Sequence, residues 1–220
     1  MKIAIDGPAG SGKSSIARLL SKRLWIPYLE TGLAYRAAGY LLLRTLGERE
    51  EVSWEEVEPL LDRIRIEPGL GETVVYVEGR PLLEELKDER VGNMASLVGT
   101  LPQFRERINR KFREIIGDRQ MIVEGRDAGT NIVPEAQIKL FITASPEERA
   151  QRRLRQLREA GVQADYGEIL SLIKERDRRD AERKDYPLKP AEDAILIDTT
   201  GLSLEEAVER ILSLLAEIER

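Results

Sequence analysis

A glycine-rich segment near the start of the chain has the residue types and spacing that bind phosphate: Gly7-Pro8-Ala9-Gly10-Ser11-Gly12-Lys13-Ser14-Ser15. It matches the pattern G-x-x-x-x-G-K-[ST]. Because glycine has no Cβ, the backbone can turn successive N–H groups into one concavity that suits phosphate oxygens. Lys13 adds a positive charge for the outer phosphates, and the Ser14 hydroxyl is a suitable ligand for Mg²⁺. We call residues 7–15 the phosphate loop and predict that they bind a nucleotide.

The residues on either side of the phosphate loop predict the elements that hold it. Ile3-Ala4-Ile5 is an apolar run typical of a buried parallel strand. After the loop, apolar residues recur at helical spacing from Ile16 to Leu24. A helix that begins at the loop directs the positive end of its dipole at the same anion. A glycine-rich turn that binds nothing would not need this lysine and hydroxyl.

Composition excludes several classes of chemistry. The chain has 220 residues, enough for one domain with a small insertion, and its net charge of −5 argues against general nucleic-acid binding. It has no cysteine and no histidine, so thiol chemistry, disulfides, imidazole catalysis and His-ligated zinc are excluded. No apolar run approaches the roughly 20 residues that span a membrane, and no signal-peptide pattern is present. We therefore expect a cytoplasmic protein without a membrane partner.

Short apolar runs alternate with helical patterns along the chain. Runs at 25–29, 120–123, 138–142 and 194–197 predict four strands in addition to the first. Residues 63–82 contain two short β-type runs around a Pro-Gly turn, which indicates a small antiparallel insertion. The alternation predicts an α/β fold with a five-stranded parallel sheet. Ligands of such sheets bind beyond the carboxyl ends of the strands, so the phosphate loop, Thr31, Arg126 and Asp127 should surround one crevice.

The segment 145–183 is rich in arginine and follows the fourth core strand. Arginine gives permanently charged, bidentate contacts to phosphate oxygens, which a phosphoryl-transfer enzyme needs. Most of these arginines are expected to lie on solvated faces paired with neighbouring acids, and those acids argue against RNA binding. The better candidates share one face within a helix: Arg149 and Arg153 on the first, and Arg176, Asp180 and Arg183 on the second.

Seven motifs in order resemble the bacterial cytidylate kinase family over nearly the whole chain. They are the phosphate loop, Thr31-Gly32-x-x-Tyr35-Arg36, Asn93-x-Ala95-Ser96, Pro102-x-x-Arg105, Gly125-Arg126-Asp127-x-Gly129-Thr130, the run from Ala144 to Arg153, and Lys174-Glu175-Arg176-Asp177-x-Arg179-Asp180. The resemblance implies a phosphate-loop kinase core of three layers, with a β-containing insertion that binds a nucleoside monophosphate and a helical lid. It divides the chain into a core (roughly 1–29, 116–145 and 184–220), the monophosphate-binding part (roughly 30–115) and the lid with its flanking helices (roughly 146–183).

The same resemblance implies transfer of the γ-phosphoryl group of ATP, with Mg²⁺, to CMP or dCMP. The implied roles are as follows: Ser96, Arg105 and Asp127 contact cytosine; Arg36 and Arg126 hold the acceptor phosphate; Thr31 and Tyr35 line its pocket; Asp180, with Arg176, binds the ribose; Lys13, Arg149, Arg153 and Arg183 act on the transferring phosphoryl group. Three alternatives stay open. Ser96 could be a helix serine that contacts no ligand, and Tyr35 could serve mainly in core packing. Arg105 could form an ion pair with Glu106 or another nearby acid.

The sequence departs from the family pattern at three places. Glu30 and Glu124 stand where aspartate is usual, and Leu33-Ala34 replaces Ala followed by Met or Ile. The longer side chain makes a metal role for Glu124 doubtful, and Asp6 is another candidate acid near the metal. Two alternatives stay open: a kinase of the same fold with another acceptor, and a nucleotide-binding regulator with slow ATPase activity. Without a large unexplained apolar face, we expect a monomer.

Overall fold

Strands and helices alternate through residues 1–218, which the computed structural model describes. The strands are β1 (Lys2–Asp6), β2 (Tyr28–Glu30), β3 (Ile64–Pro68), β4 (Thr73–Val77), β5 (Arg80–Leu82), β6 (Met121–Glu124), β7 (Ile138–Thr143) and β8 (Ile195–Asp198). The α-helices are α1 (Lys13–Leu24), α2 (Gly32–Leu46), α3 (Trp54–Val57), α4 (Glu89–Val98), α5 (Pro102–Ile116), α6 (Pro146–Glu159), α7 (Tyr166–Ala181) and α8 (Leu204–Ile218). Short 3₁₀ helices cover Glu58–Arg63 and Glu85–Lys87, and a π-helical turn covers Ala128–Ile132.

Five parallel strands form the main sheet in the order β2-β6-β1-β7-β8. Side chains alternate between its two faces, so Ile3 and Ile5 pack on the side of α1 and α8, whereas Ala4 packs on the other side against α2 and α5. Both faces are covered by apolar residues, which is the requirement for a parallel sheet. The α/β fold with five parallel strands, predicted from the alternating pattern, is confirmed.

The predicted antiparallel insertion is also present, as the three-stranded sheet β3-β4-β5. Its strand β4 alternates buried Val75 and Val77 with half-buried residues, the pattern of a sheet with one covered face. Thr73 ties the insertion to the core, because its hydroxyl donates to the Tyr28 carbonyl at 2.7 Å and accepts from the Glu30 N–H at 2.8 Å. The insertion therefore joins the main sheet at the strand end that leads into α2.

Helices α2 and α4 pack so closely that one position between them admits only glycine. A Cβ on Gly39 would lie 2.6 Å from the Ala95 nitrogen and 2.7 Å from the Val91 oxygen. Backbone atoms cannot yield as a flexible side chain can, so any larger residue would push the two helices apart. The contact sets the distance between the helix that bears Tyr35 and Arg36 and the helix that bears Ser96.

A search of the described residues finds no helix that is long and apolar enough to span a membrane.

Candidate active site

The phosphate loop leaves the end of β1 and turns directly into α1. Gly10 and Gly12 have φ values of 75° and 89°, which side chains rarely tolerate. A Cβ on Gly7 would lie 2.0 Å from the Ile142 carbonyl oxygen, so the loop passes directly against the end of β7. Lys13 is the first residue of α1, and unpaired N–H groups at the start of a helix favour the binding of anions.

Glu124, at the end of β6, lies against the two polar side chains that begin α1. One carboxylate oxygen is 3.2 Å from the Lys13 ammonium, and the other accepts from the Ser14 hydroxyl at 3.2 Å. Lys13 and Glu124 are both buried. The pKa of Lys13 is lowered to about 8, mainly by burial, with the charges of Arg126 and Arg176 contributing to the shift. Glu124 opposes that shift by charge and hydrogen bonding.

The Ser14 hydroxyl and the Glu124 carboxylate are a donor set that fits Mg²⁺. Both are oxygen ligands, and their 3.2 Å separation is close to that of neighbouring ligands around a small octahedral ion. Within residues 1–218, no cluster of three or more acidic side chains could hold a metal alone. A Mg²⁺ ion usually takes one or two protein carboxylates and completes its shell with water and substrate phosphates.

Asp6, the other candidate acid near the metal, has a different environment. Its two carboxylate oxygens accept the N–H groups of Ala128 at 2.7 Å and Gly129 at 2.8 Å. These bonds hold the π-helical turn that follows Asp127 against the end of β1. Burial nevertheless raises the pKa of Asp6 from its ordinary value of 3.8 to about 6, with smaller contributions from Asp127 and Glu124.

This shift predicts how the stability of the protein depends on pH. Because the pKa of Asp6 is higher in the folded state, its protonation stabilises the fold fully below about pH 4, and the stabilisation is lost as the pH rises through about 6. Asp6→Asn, which cannot titrate, should lower the free energy of unfolding more at pH 4 than at pH 7, by about 2 kcal/mol. Chemical denaturation of both proteins at the two pH values measures this. An equal difference at both values would show that Asp6 stays ionised throughout.

A second group of charges surrounds Asp180, near the end of α7. Its carboxylate accepts from Arg126 Nε at 3.3 Å and from Arg183 Nη2 at 2.8 Å. Arg126 also donates to the Gly7 carbonyl at 3.3 Å, so it joins the phosphate loop to α7. Arg126 therefore pairs with Asp180, while its neighbour in sequence, Asp127, points elsewhere.

Several cations of the crevice are close enough to disfavour one another's charge. Burial lowers the pKa of Arg36, Glu30 opposes this, and Arg153 lowers it further. Arg36 donates to the Leu86 carbonyl at 2.7 Å, which fixes its guanidinium beside the 3₁₀ helix Glu85–Lys87. A concentration of positive charge at the carboxyl ends of parallel strands is the arrangement expected of a site for phosphorylated ligands.

Asp127 and Arg105 form a buried pair across the crevice from the phosphate loop. Arg105 Nη1 lies 3.9 Å from Asp127 Oδ1, and Arg105 Nε donates to the Gly99 carbonyl at 2.7 Å. Burial raises the pKa of Asp127, and Arg105 opposes that shift. The guanidinium lies 5.3 Å from the Tyr35 ring centre, and Tyr35 also packs edge-on against Phe104. Arg105 thus pairs with Asp127 rather than Glu106, and Tyr35 has both a packing contact and a contact with this pair.

The unpaired polar atoms of the described chain lie near this pair. The buried side-chain atoms without a hydrogen-bond partner are Arg183 Nη1 and both polar atoms of Asn109. The charges of Arg105 and Asp127 both act on Arg183. Buried polar atoms are nearly always paired in native proteins, so these atoms mark a place with free hydrogen-bonding capacity for a polar partner.

The hydroxyl groups of Ser96 and Thr31, unlike the buried pair, both donate to backbone carbonyls. Ser96 is exposed on α4, and its hydroxyl donates to the Gly92 carbonyl one turn earlier, at 3.1 Å. The Thr31 hydroxyl donates to the Glu124 carbonyl at 2.8 Å, so it links the ends of β2 and β6. Both hydroxyls retain lone pairs, but their protons are committed to the backbone. Their predicted contacts with a substrate stay predictions.

Arg149, predicted to act on the transferring phosphoryl group, is buried in a network of its own. It makes a bidentate pair with Asp177, at 2.9 and 2.5 Å, and donates to the Ala144 carbonyl at 3.0 Å and the Ala9 carbonyl at 3.2 Å. Arg149 therefore joins α6 and α7 to the phosphate loop. Arg153, one turn later, is exposed and acts electrostatically on Arg36.

Sequence reasoning missed Arg152 and Thr199. Arg152 donates to the Thr199 carbonyl at 2.7 Å and to the Ser11 carbonyl at 3.4 Å, and the Thr199 hydroxyl is 3.1 Å from Ser11 O. The phosphate loop is thus held by residues far away in sequence. The only available signal was the position of Thr199, immediately beyond the carboxyl end of β8, where site residues of such sheets are expected.

The solved structures that resemble the chain agree with the fold. A protein described as uncharacterized from Eubacterium ventriosum superposes with a TM-score of 0.54 at 16% identity, covering 99% of this chain and 98% of that chain. Shikimate kinase from Acinetobacter baumannii, in complex with shikimate, superposes with a TM-score of 0.50 at 15% identity, covering 98% and 93%. At these identities, the likeness establishes a shared fold and nothing finer.

Relatives found by sequence are much more similar to this chain than the solved structures are. The cytidylate kinase of Aquifex aeolicus is 54% identical over 219 residues, covering 99% of this chain and 96% of its own length. The cytidylate kinase of Thermosipho melanesiensis is 44% identical, covering 98% and 97%. The family model described as cytidylate kinase matches residues 3–217. With this match and a site that combines a phosphate loop with a buried pair of opposite charges, the chain belongs to the cytidylate kinase family.

Proposed function

We propose that the protein is a cytidylate kinase that transfers the γ-phosphoryl group of ATP to CMP or dCMP, giving ADP and CDP or dCDP. The observation that carries this proposal is the buried Asp127–Arg105 pair on the same crevice as the phosphate loop. A phosphate loop is common to many nucleotide-binding proteins, whereas a buried carboxylate and guanidinium can distinguish one base from another. Family membership supports the same activity.

On the donor side, the N–H groups of the phosphate loop would bind the phosphates of ATP. Lys13 would neutralise the outer phosphates, since its ammonium lies at the start of α1 beside the loop. Ser14 and Glu124 would hold Mg²⁺, whose role when bound is to neutralise charge on the phosphate oxygens. In this proposal Glu124 serves two partners, the ammonium of Lys13 and the cation.

On the acceptor side, the hydrogen-bonding pattern of cytosine fits Asp127 and Arg105. The exocyclic amine of cytosine donates, so a carboxylate can accept from it, while the ring nitrogen and carbonyl accept from a guanidinium or hydroxyl. Uracil presents a carbonyl and a ring N–H at the same positions, so Asp127 and Arg105 would both face the wrong partner. Ser96 contributes only if its hydroxyl turns from the Gly92 carbonyl towards the base.

The remaining acceptor contacts are proposed from the charges that surround the crevice. Arg36 and Arg126 would hold the phosphate of CMP, in the pocket lined by Thr31 and Tyr35. Asp180 would accept from the ribose hydroxyls with Arg176 beside it, and lone pairs of its carboxylate remain beyond the bonds from Arg126 and Arg183. Arg183 would use its unpaired Nη1 for a bound substrate.

Phosphoryl transfer needs two substrates held in line, neutralised charge and exclusion of water. Arg153 is exposed beside the crevice and can reach a phosphate when α6 and α7 close over it. Arg149 would contact the transferring phosphoryl group only if its guanidinium breaks the pair with Asp177, or keeps one of the two hydrogen bonds to Asp177 and uses its other N–H groups for the phosphate. We propose that the monophosphate-binding part (roughly 30–115) and the lid (roughly 146–165) close over the substrates and move relative to the core (roughly 1–29, 116–145 and 184–220).

We also propose that the protein acts as a monomer on free nucleotides. Several of its large exposed apolar side chains lie on different elements and do not form one obvious interface: Trp25, Leu83, Leu172 and Leu196.

The test is ADP production from Mg²⁺-ATP with CMP, dCMP, UMP, AMP, GMP or no acceptor, run side by side. We expect strong stimulation by CMP and dCMP and much weaker stimulation by the others. Stimulation by another nucleotide in place of CMP would move the activity to a different acceptor. Slow ADP release that no acceptor changes would instead support a nucleotide-binding regulator with weak ATPase activity.

A further inference from the structure

Asn109 is an unusual residue for the interior of this protein. It lies on α5 with 2% of its surface exposed, and neither its side-chain oxygen nor its nitrogen makes a hydrogen bond of normal geometry among the described residues. A buried amide without partners destabilises a fold, because its hydrogen bonds to water are lost and not replaced. An apolar residue of similar size would pack there at lower cost.

The position of Asn109 connects it with the buried pair. It follows Arg105 by four residues on α5, so the two side chains project from the same face of the helix. Its amide is close enough to Asp127 to lower the pKa of that carboxyl, as Asn131 also does. Only Asn131 makes a hydrogen bond of normal geometry, donating to Asp127 Oδ2 at 3.3 Å. Asn109 therefore belongs to the polar cluster around Asp127 and retains free hydrogen-bonding capacity there.

We propose that Asn109 is a further base-reading residue, whose side-chain oxygen accepts the second N–H of the cytosine amino group while Asp127 accepts the first. This inference rests on the proposed function and deepens it. The amino group has two N–H bonds, and one acceptor leaves the other unused. The Asn109 oxygen is the free acceptor next to Asp127 that can take it.

The Asn109 amide could also form a hydrogen bond with uracil, whereas Asp127 could not. Rotation about its last bond exchanges the oxygen and the nitrogen, which have nearly the same size. Asn109 could then donate to the uracil carbonyl, while Asp127 would still face an oxygen without a proton between them. The two residues together therefore prefer cytosine, with Asp127 responsible for most of the rejection of uracil.

The first experiment compares the wild type with Asn109→Leu, which keeps the approximate volume but removes both hydrogen-bonding atoms. Gln103→Leu, an exposed amide on the same helix, is the matched control. We expect kcat/KM for CMP to fall about 10- to 100-fold in Asn109→Leu, with the KM for ATP unchanged and the Tm equal or higher. A Tm that rises while kcat/KM for CMP stays at the wild-type level would overturn the inference, because Asn109 would then only fill space.

The second experiment uses N4-methyl-CMP and needs no variant to be informative. If Asp127 is the only acceptor for the amino group, the methyl group can point away from Asp127, and the remaining N–H still donates to its carboxylate. With readers on both sides, either orientation of the methyl group loses one hydrogen bond. We expect the wild type to use N4-methyl-CMP at least about 10-fold less efficiently than CMP, and the penalty to be smaller in Asn109→Leu. Equal use of both substrates by the wild type refutes the second reader.

Failure of the proposed function and failure of the inference about Asn109 give different results in these experiments. If the wild type shows no ADP release stimulated by CMP, the proposed function fails and the role of Asn109 falls with it. If the wild type is a CMP kinase and neither the leucine variant nor the methylated substrate changes kcat/KM, only the inference about Asn109 fails.

Discussion

Lys13→Ala is expected to lower the turnover of CMP and ATP about 10³-fold or more. The ammonium of Lys13 lies at the positive end of α1, in a buried position where a charge acts through a low dielectric. Removing one group that stabilises developing charge costs about 10²–10³-fold in comparable sites, and a cation on a transferring phosphoryl group contributes more. Initial rates at saturating substrate measure this effect.

The alanine variant also leaves Glu124 without its ion-pair partner, so its loss of activity has to be separated from loss of stability. Lys13→Gln supplies that control, because it can donate to Glu124 without carrying a charge. Lys22→Ala, an exposed lysine on the same helix, should be indistinguishable from the wild type. If Lys13→Gln folds like the wild type and turns over nearly normally, Lys13 has no part in the reaction.

Asp127→Ala is expected to lower kcat/KM for CMP about 10²–10³-fold while the KM for ATP changes by less than about threefold. The carboxylate is buried and paired with Arg105, so its loss removes the acceptor for the cytosine amine and leaves a buried cation unpaired. Steady-state kinetics with each substrate varied in turn separates the two effects. Asp118→Ala, at an exposed aspartate, is the matched control.

Asp127→Asn refines the same prediction. The amide has the shape of the carboxylate, but its nitrogen can donate to the carbonyl of uracil. The ratio of kcat/KM for UMP to that for CMP should therefore rise in Asp127→Asn relative to the wild type. Equal losses of CMP use and ATP binding in both Asp127 variants would count against a base-reading role.

The parts of the molecule that could be predicted are those whose cause is local in sequence. The strand, glycine loop and helix from β1 to α1 follow from an apolar run, residues that permit tight turns, and apolar residues at helical spacing. The hairpin of β3 and β4 follows from two short β-type runs around a Pro-Gly turn, whereas the third strand, β5, was not predicted. The strand pattern placed Asp127 at the crevice, whereas family resemblance suggested Arg105 and the contact of both residues with cytosine. The fold brings these two distant residues together.

What could not be predicted depends on contacts between distant segments. The sequence predicts that Asp6 is a candidate acid near the metal. In the structure its oxygens accept from the N–H groups of Ala128 and Gly129, which lie near Asp6 only in the folded protein. Arg149 and Arg152 look alike in sequence, and both bind carbonyls of the phosphate loop from α6. Nothing in an arginine-rich helix tells which of its members will be committed to such carbonyls and which will remain free for a ligand.

Glu124, a proposed metal ligand, shows that tertiary contacts also limit what can be predicted for a single side chain. The extra CH₂ of Glu124, compared with aspartate, made its role doubtful from the sequence. The structure places that longer side chain against both Lys13 and Ser14, with Tyr28 also donating to it at 3.2 Å. The reach of a side chain depends on the separation of the two strands and the helix that it bridges, and this separation is a tertiary property.

The contact at Gly39 affects how mutations in this protein would be interpreted. A methyl group there would collide with the backbone of α4 and shift the helix that bears Ser96 relative to the one that bears Tyr35 and Arg36. The substrate pocket would change shape although no residue in it had been altered. In a saturation screen scored by growth or activity, position 39 would tolerate as few substitutions as a position that touches the substrate. Intolerance of substitution alone therefore does not identify the residues that contact the substrate, because the distance between the two helices that bear the proposed pocket also depends on the absence of one side chain in the core.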